Sequence, residues 1–241
     1  MNIDALIGRL DLLNLAAAIL IAGSIYAVID LIARLGKIHG EFGRKAIHIW
    51  VGVFAASLPV FMNRLEIFVF HGLFFVAIVV LSLTAELVRT QPWAGKFWVG
   101  QFLASMFDRY EDVSRWTVGQ FLYPLSLMLV VLFYDDLLIY SFAVLVLALA
   151  DGFAAVIGKL FGIKKFFVPG GSKSLIGSAT FFLVTFTLMC MFMIIETDAG
   201  VLALLPAFAF AAVLTFTEAM IAGGFDNLAI PLLTAVLLNT I

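Results

Sequence analysis

The run LLIYSFAVLVLALADGFAAVI (137–157) decides the fold class, because its 21 residues contain a single charged side chain, Asp151. A helix of about 20 mostly apolar residues crosses the hydrocarbon core of a bilayer. The rest of the chain is similar: 64% of its 241 residues are hydrophobic, 12% are charged, and the mean hydropathy is +1.15. Soluble domains carry about 25% charged residues. We therefore predict an all-α, polytopic integral membrane protein.

Eight apolar segments are candidates for transmembrane helices. They cover residues 12–33, 46–61, 67–87, 118–133, 137–157, 175–195, 201–221 and 228–241. The second, fourth and eighth segments are short for a crossing of about 30 Å, so tilted, re-entrant or shielded helices are the alternatives there. We expect a bundle of about eight transmembrane helices, within a range of about seven to nine, that forms a single domain over residues 1–241.

Basic residues are concentrated in three of the predicted loops. Of the 14 Lys and Arg residues, 12 lie in the loops after the first, third and fifth segments, and only Arg9 and Arg64 lie on the other side. Because cytoplasmic loops are enriched in Lys and Arg, we predict that the N-terminus is outside and that these loops are cytoplasmic. Aromatic residues near helical spacing over residues 91–112 predict an interfacial amphipathic helix, with an ordinary loop as the alternative.

Polar residues collect at the predicted cytoplasmic ends of the helices. In GRKAIHIW, Arg44 and His48 are four residues apart and share a helix face, with Lys45 beside them. Glu86 lies about one turn inside the predicted boundary, where a carboxylate is costly and is a candidate functional group. Simpler roles remain open, since basic residues also anchor helix orientation and Glu86 has an arginine three residues later as a partner.

The segment after Asp151 combines small residues with lysines. Asp151 lies late in its apolar run, and Gly158 follows at a spacing that lets a backbone or a ligand approach closely. VPGGSKSLIGS then opens the sixth predicted helix, where free backbone N–H groups and a lysine favour an anion. A phosphate-binding turn is therefore predicted, with an ordinary serine N-cap as the alternative. Its candidate residues are Gly170, Gly171, Ser172, Lys173 and Ser174.

A third group of polar residues lies in TEAMIAGGFDNLAIPLL. Glu218 is placed inside the seventh helix, and Asp226 and Asn227 open the eighth. Carboxylate and amide oxygens suit Mg²⁺, which prefers one or two carboxylates together with substrate phosphates. Cations for phosphates, carboxylates for a metal and a backbone anion site on one membrane face are the groups that phosphoryl transfer requires.

Taken in order, these motifs resemble the polyprenol kinases, the family of dolichol, phytol and farnesol kinases and of a CTP-dependent diacylglycerol kinase. The matching residues are RKAIH (44–48), AELVR (85–89), ADGFAAVIGKLFG (150–162), GSKSLIGS (171–178) and TEAMIAGGFDNLAIPL (217–232). One departure is Ile176, where the family often has glutamate. The resemblance implies Mg²⁺-dependent transfer of the γ-phosphate of CTP, or of another nucleoside triphosphate, to the hydroxyl of a lipid alcohol at the cytoplasmic membrane face.

On this basis each candidate residue receives an expected role. Asp151, Lys173 and His48 are the expected catalytic residues, and Asp151 either holds Mg²⁺ or accepts the alcohol proton. The expected metal ligands are Asp151, Glu218, Asp226 and Glu86. The expected nucleotide-binding residues are Arg44, Lys45, Gly158, Lys159, Gly170, Gly171, Ser172, Ser174 and Asn227. The phenylalanine-rich helices, with 25 Phe in the chain, are expected to form an apolar groove for the lipid tail.

The alternatives are a membrane transporter and a nucleotidyltransferase similar to CDP-lipid synthases. A transporter needs polar residues near the bilayer midplane, and the middles of these helices are almost free of charge. The longer Lys- and Asp-rich signature of the synthases is missing. The net charge of −2 gives no sign of a nucleic-acid partner. Oligomeric state and the identity of the lipid do not follow from the sequence.

Overall fold

The computed structural model describes residues 10–36, 41–90, 118–169, 171–198 and 200–241. Within them, each predicted apolar segment forms a helix. The helices are α1 (Leu12–Leu35), α2 (Glu41–Ser57), α3 (Arg64–Thr90), α4 (Val118–Phe133), α5 (Leu137–Phe161), α6 (Leu175–Glu196), α7 (Leu204–Met220) and α8 (Asp226–Leu238). Two short 3₁₀ turns, Leu58–Val60 and Gly200–Ala203, follow α2 and precede α7. The predicted interfacial helix at 91–112 lies outside the described residues.

Five of the described helices are long and apolar enough to cross a membrane. They are α1, α3, α5, α6, and α7 together with its preceding 3₁₀ turn. The helices α2, α4 and α8 are shorter, with 17, 16 and 13 residues. The predicted polytopic helical membrane bundle is therefore confirmed. The number of crossings and the placement of the N-terminus outside stay predictions.

Helix α5 lies at the centre of the bundle. In its most apolar window 67% of the residues are buried, against 22–33% in the other four long helices. It packs against α2, α6 and α8, and alanines such as Ala143, Ala148 and Ala154 allow these neighbours to approach closely. The central position of α5 explains why Asp151 is buried although it lies near one end of the bundle.

Helix α5 is not α-helical along its whole length. Residues Val146–Asp151 form a π-helical segment between the α-helical parts Leu137–Leu145 and Gly152–Phe161. A π turn uses i→i+5 hydrogen bonds and is often found at functional sites. Here it ends at Asp151, so the wide turn sets the direction in which this carboxylate leaves the helix.

A small hairpin joins α5 to α6, and the all-α prediction missed it. Strands β1 (Lys165–Val168) and β2 (Gly171–Ser174) are antiparallel, with Lys165 opposite Ser174 and Val168 opposite Gly171. The FFV run of β1 has high β-propensity, and a Pro-Gly-Gly turn follows it. The hairpin fixes the approach to α6 and therefore the position of Lys173.

Candidate functional site

Two lysine–carboxylate pairs lie at one end of the bundle. The Lys45 Nζ atom is 2.5 Å from Asp151 Oδ2. The Lys173 Nζ atom is 2.5 Å from Glu218 Oε1 and 3.6 Å from Asp226 Oδ2. Together with His48, these five side chains form what we call the charged cluster. Its members come from α2, α5, β2, α7 and α8, so the fold gathers residues that are far apart in sequence.

His48 holds Asp151 in place. Its Nε2 atom is 3.1 Å from the carbonyl oxygen of Leu147 and 3.5 Å from Asp151 Oδ2. Because a carbonyl only accepts, Nε2 carries the hydrogen in this contact. The Leu147 carbonyl belongs to the π-helical segment, so His48 ties α2 to the turn that carries the carboxylate. The predicted closeness of His48 and Lys45 to the Asp151 site is therefore observed.

Strand β2 presents Lys173 to the carboxylates of α7 and α8. Burial alone lowers the pKa of Lys173, but Glu218, then Asp226 and Asp151, raise it, and the net pKa lies above the usual value. The side chain is therefore an ammonium group at neutral pH. Asp151 interacts electrostatically with both Lys173 and Asp226, which joins the two pairs into one cluster.

Ser174 acts as the N-cap of α6. Its Oγ atom accepts a hydrogen bond of 3.1 Å from the backbone N–H of Gly177 and lies 3.4 Å from the carbonyl oxygen of Gly158. This is the serine cap that the sequence left open as an alternative to a phosphate ligand. Gly171 and Ser172 are exposed on β2, and Gly170 lies outside the described residues.

Gly158 permits close contact between α5 and α6. A Cβ atom at this position would lie 2.7 Å from Ser174 Oγ and 3.2 Å from the Cα atom of Gly177. Such distances are too short for any side chain, so glycine is required for packing here. The predicted role of Gly158 in binding nucleotide stays a prediction, while its packing role is visible.

Asn227 connects α8 to α4. Its side-chain Nδ2 donates a hydrogen bond of 2.9 Å to the carbonyl oxygen of Gly119. The loop before it contains Gly224 with a φ of 92°, and that backbone packs directly on Gly119. This contact fixes the start of α8 and with it the neighbouring Asp226. The visible role of Asn227 is thus to position Asp226.

The remaining predicted residues lie at the edge of the site or beyond its described part. Arg44 is exposed beside Lys45 and acts electrostatically on His48. Lys159 is exposed, with its Nζ 5.4 Å from the centre of the Phe42 ring. Glu86 belongs to α3, and its side chain lies outside the described part of the structure. Ile176, at the position where the family often has glutamate, is 41% exposed on the first turn of α6.

The carboxylates fit a divalent cation by chemistry, although they face lysines in this structure. Among the described residues, no three Asp, Glu, His or Cys side chains converge as metal ligands. Glu218 is only 3% exposed, however, and no group in the described residues bonds its Oε2 atom. A buried carboxylate oxygen without a partner is costly, and a cation satisfies it. Glu218 with Asp226 or Asp151, completed by substrate phosphates, suits Mg²⁺.

One buried residue near the cluster had not been singled out in the sequence. Tyr123 of α4 is 8% exposed, and its ring centre lies 5.2 Å from that of His48. Its hydroxyl is buried with no hydrogen-bond partner among the residues described. The available signal was a tyrosine within an otherwise apolar helix, which normally places its hydroxyl near a polar group.

Geometry and topology thus define a polytopic helical membrane protein with a buried lysine–carboxylate cluster at one end. The chain is 28% identical over 223 residues to the phytol kinase of Synechocystis sp., which covers 89% of this chain and 85% of that protein. It is also 28% identical over 178 residues to a probable chloroplastic phytol kinase of Triticum aestivum, covering 71% of this chain and 56% of that one. No family model and no solved structure matches the chain. The chain is thus similar to phytol kinases over most of its length, which bears out the resemblance to polyprenol kinases.

Proposed function

We propose that this protein is a lipid-alcohol kinase that transfers the γ-phosphoryl group of a nucleoside triphosphate, with CTP the expected donor, to a membrane lipid alcohol. The observation that carries the proposal is the charged cluster, in which lysines and carboxylates from five elements meet at the end of an apolar bundle. The similarity to phytol kinases supports the same reaction and makes phytol the first acceptor to test.

The lysines bind the triphosphate in this proposal. Lys45 and Lys173 neutralise carboxylates in the structure, and their ammonium groups exchange these partners for phosphate oxygens when the nucleotide arrives. Glu218 and Asp226 are thereby released to hold Mg²⁺. When bound, Mg²⁺ would neutralise the negative charge that develops on the transferred phosphoryl group.

Asp151 orients the lipid hydroxyl and accepts its proton. A bond forms between the alcohol oxygen and the γ-phosphorus, the bond from that phosphorus to the β–γ bridging oxygen breaks, and the nucleoside diphosphate leaves. His48 keeps the Asp151 carboxylate in position for this step. Because such transition states are loose, alignment of the two substrates contributes more than the strength of the base.

The position of the cluster supports a site that faces the cytoplasm. The described elements around it contain the basic residues Arg44, Lys45, Lys159, Lys164, Lys165 and Lys173. The positive-inside rule assigns such a group of basic residues to the cytoplasmic side, where nucleotides are available. Lys173, Glu218 and Asp226 lie within three residues of the ends of their elements, which favours a kinase over a transporter.

A labelling experiment separates a kinase from a nucleotidyltransferase. Purified protein in detergent is supplied with Mg²⁺, with an acceptor that is phytol, farnesol, geranylgeraniol, undecaprenol, diacylglycerol or phosphatidic acid, and with CTP labelled at either the α- or the γ-phosphate. A kinase transfers only the γ label to lipid. Transfer of the α label to a phosphorylated lipid acceptor indicates a nucleotidyltransferase, and no labelled lipid from any acceptor contradicts both assignments.

A matched pair of lysine variants tests whether the charged cluster is the active site. Lys173→Ala removes the ammonium group beside Glu218, and we expect it to abolish measurable transfer. Lys164→Ala removes an exposed lysine just before the hairpin, and we expect it to retain activity. Equal activity of both variants contradicts the assignment of the site.

A further inference from the structure

An apolar groove runs along the outside of the bundle between α6 and α7. Its volume is about 590 Å³, and its walls include Ser178, Phe182, Ala212, Thr215 and Phe216. Its lining combines small residues with the aromatic side chains of Phe182 and Phe216. The groove is therefore shaped by the same two helices that contribute residues around Lys173 and Glu218.

One end of the groove lies at the level of the charged cluster along the helix axes. Ser178 lies one helical turn beyond the cap residue Ser174, and Ala219 of the groove directly follows Glu218. The Lys173–Glu218 ion pair connects the start of α6 with α7 at this same end. From there the groove extends toward Ala212, six residues and about 9 Å along the helix axis from Glu218.

One hydroxyl in the groove has unused hydrogen-bonding capacity. The Ser178 Oγ atom is buried and bonds no other group among the residues that the structure describes. By contrast, Thr180 and Thr215 donate their hydroxyl hydrogens to backbone carbonyls of their own helices, at 2.8 and 2.7 Å. A buried hydroxyl without a partner is unfavourable, so Ser178 is suited to a ligand that supplies one.

We propose that this groove holds the part of the lipid alcohol's hydrocarbon chain nearest its hydroxyl and that Ser178 binds the alcohol hydroxyl at the end next to the charged cluster. The inference rests on the proposed kinase function. It explains why a groove with apolar walls has its one unsatisfied hydroxyl at the end nearest the phosphate-binding lysine. Pockets of about 300–1,000 Å³ with a few placed polar groups are typical of small-molecule sites.

Photo-crosslinking tests the groove without requiring turnover. A C20 isoprenoid alcohol with a diazirine near its hydroxyl end is irradiated with the purified protein in the absence of nucleotide, and labelled peptides are mapped by mass spectrometry. We expect adducts in 178–183 and 212–219 that excess phytol removes. Adducts elsewhere, or adducts that phytol does not displace, overturn the proposal.

Two alanine variants separate filling of the groove from a general effect of added bulk. Ala212→Phe fills the groove, and we expect labelling of its walls to fall at least about fivefold. Ala77→Phe adds the same ring on an exposed face of α3, away from the groove, and we expect wild-type labelling. Equal labelling of wild type and Ala212→Phe overturns the proposal.

Ser178 is tested by kinetics with a conservative rescue. Ser178→Ala is expected to raise the KM for phytol about fivefold while leaving the KM for CTP unchanged, and Ser178→Thr is expected to restore it. Ser24→Ala is the control, because the Ser24 hydroxyl bonds its own helix at Leu20. An unchanged KM in Ser178→Ala contradicts its role.

The outcomes distinguish the two proposals. Displaceable labelling of the groove without any phosphate transfer keeps the lipid site and removes the kinase function. Phosphate transfer together with labelling elsewhere keeps the kinase function and removes this site.

Discussion

Two buried glutamates at opposite ends of the bundle have very different surroundings. Glu66, in the first turn of α3, is 2% exposed, and Glu218 of α7 is 3% exposed. Both oxygens of Glu66 accept backbone N–H groups, from Asp11 at 2.8 Å and from Asn63 at 2.9 Å. Glu218 has Lys173 on one oxygen, and nothing in the described residues bonds the other. The two glutamates are therefore almost equally buried, but Glu66 accepts hydrogen bonds on both oxygens and Glu218 on only one among the described residues.

The surroundings of Glu66 are those of a structural group. Asn63 accepts from the Glu66 N–H at 3.1 Å and donates its own N–H back, which is a reciprocal capping arrangement at a helix start. Nearby, Arg64 binds the carbonyls of Val131 and Leu132 as well as the Asp135 carboxylate. At this end of the bundle, the hydrogen bonds described for Glu66 and Arg64 are mostly to backbone groups. A ligand could replace them only at a large cost in free energy, because the backbone groups would lose their partners.

The charged cluster has the opposite character. Its close contacts are mainly between side chains, and lysine–carboxylate pairs can exchange partners when phosphate and a cation arrive. A buried carboxylate in a membrane bundle is a functional candidate by default. The comparison of Glu66 with Glu218 adds that the hydrogen bonds of a buried carboxylate, more than its burial, distinguish a helix cap from a functional site.

Substitution of an aspartate at each end of the bundle is expected to give the largest difference in kcat. Asp151→Asn keeps the size of the side chain but removes the charge that faces Lys45 and the proposed proton acceptor. We expect kcat to fall about 100-fold or more. Asp135→Asn, in an exposed pair with Arg64, is expected to leave kcat unchanged. The measurement is transfer of label from γ-labelled CTP to phytol, and similar losses in both variants contradict the comparison.

Substitution of the two glutamates is expected to have contrasting effects, mainly on activity at Glu218 and mainly on stability at Glu66. Glu218→Gln is expected to lower kcat at least about tenfold and to cost less stability than Glu66→Gln, because its second oxygen is unsatisfied already and the amide oxygen still accepts from Lys173. Glu66→Gln should lower the free energy of unfolding by about 1–3 kcal/mol, since an amide cannot accept both backbone N–H groups equally well. Thermal unfolding in detergent and turnover per folded molecule separate the two. A larger loss of stability in Glu218→Gln than in Glu66→Gln contradicts the assignment of Glu66 as the structural glutamate and Glu218 as the functional one.

The smallest expected effect concerns two glycines. Gly158→Ala places a Cβ atom against Ser174 Oγ and moves the start of α6, and we expect up to about a tenfold loss of activity through displacement of Lys173. Gly72→Ala of α3 meets only the terminal methyl of Met128, at 3.7 Å, and should be silent. Wild-type turnover in Gly158→Ala shows that close packing of α5 and α6 does not position the site.

Hydropathy and spacing predicted the helices and most members of the charged cluster. Periodicity places Lys45 and His48 near one helix end, and apolar runs leave Asp151 and Glu218 as exceptions to be explained. Which lysine meets which carboxylate depends on how five separate elements pack, and no local pattern contains that information. For the same reason Tyr123 could not be placed beside His48 before the neighbouring elements were known.

The π-helical segment Val146–Asp151 makes the site depend on a count of residues as well as on their identity. Each residue turns an α-helix by about 100°, and a π turn holds more residues than an α turn. A deletion of one residue between 146 and 150 would restore ordinary helical bonding with nearly the same total rotation, because six residues of the wide turn rotate about as far as five of an α-helix, roughly 500°. Such a deletion preserves every charged residue and removes only the wide turn whose Leu147 carbonyl meets His48, so it separates the effect of the turn from the effect of the charges.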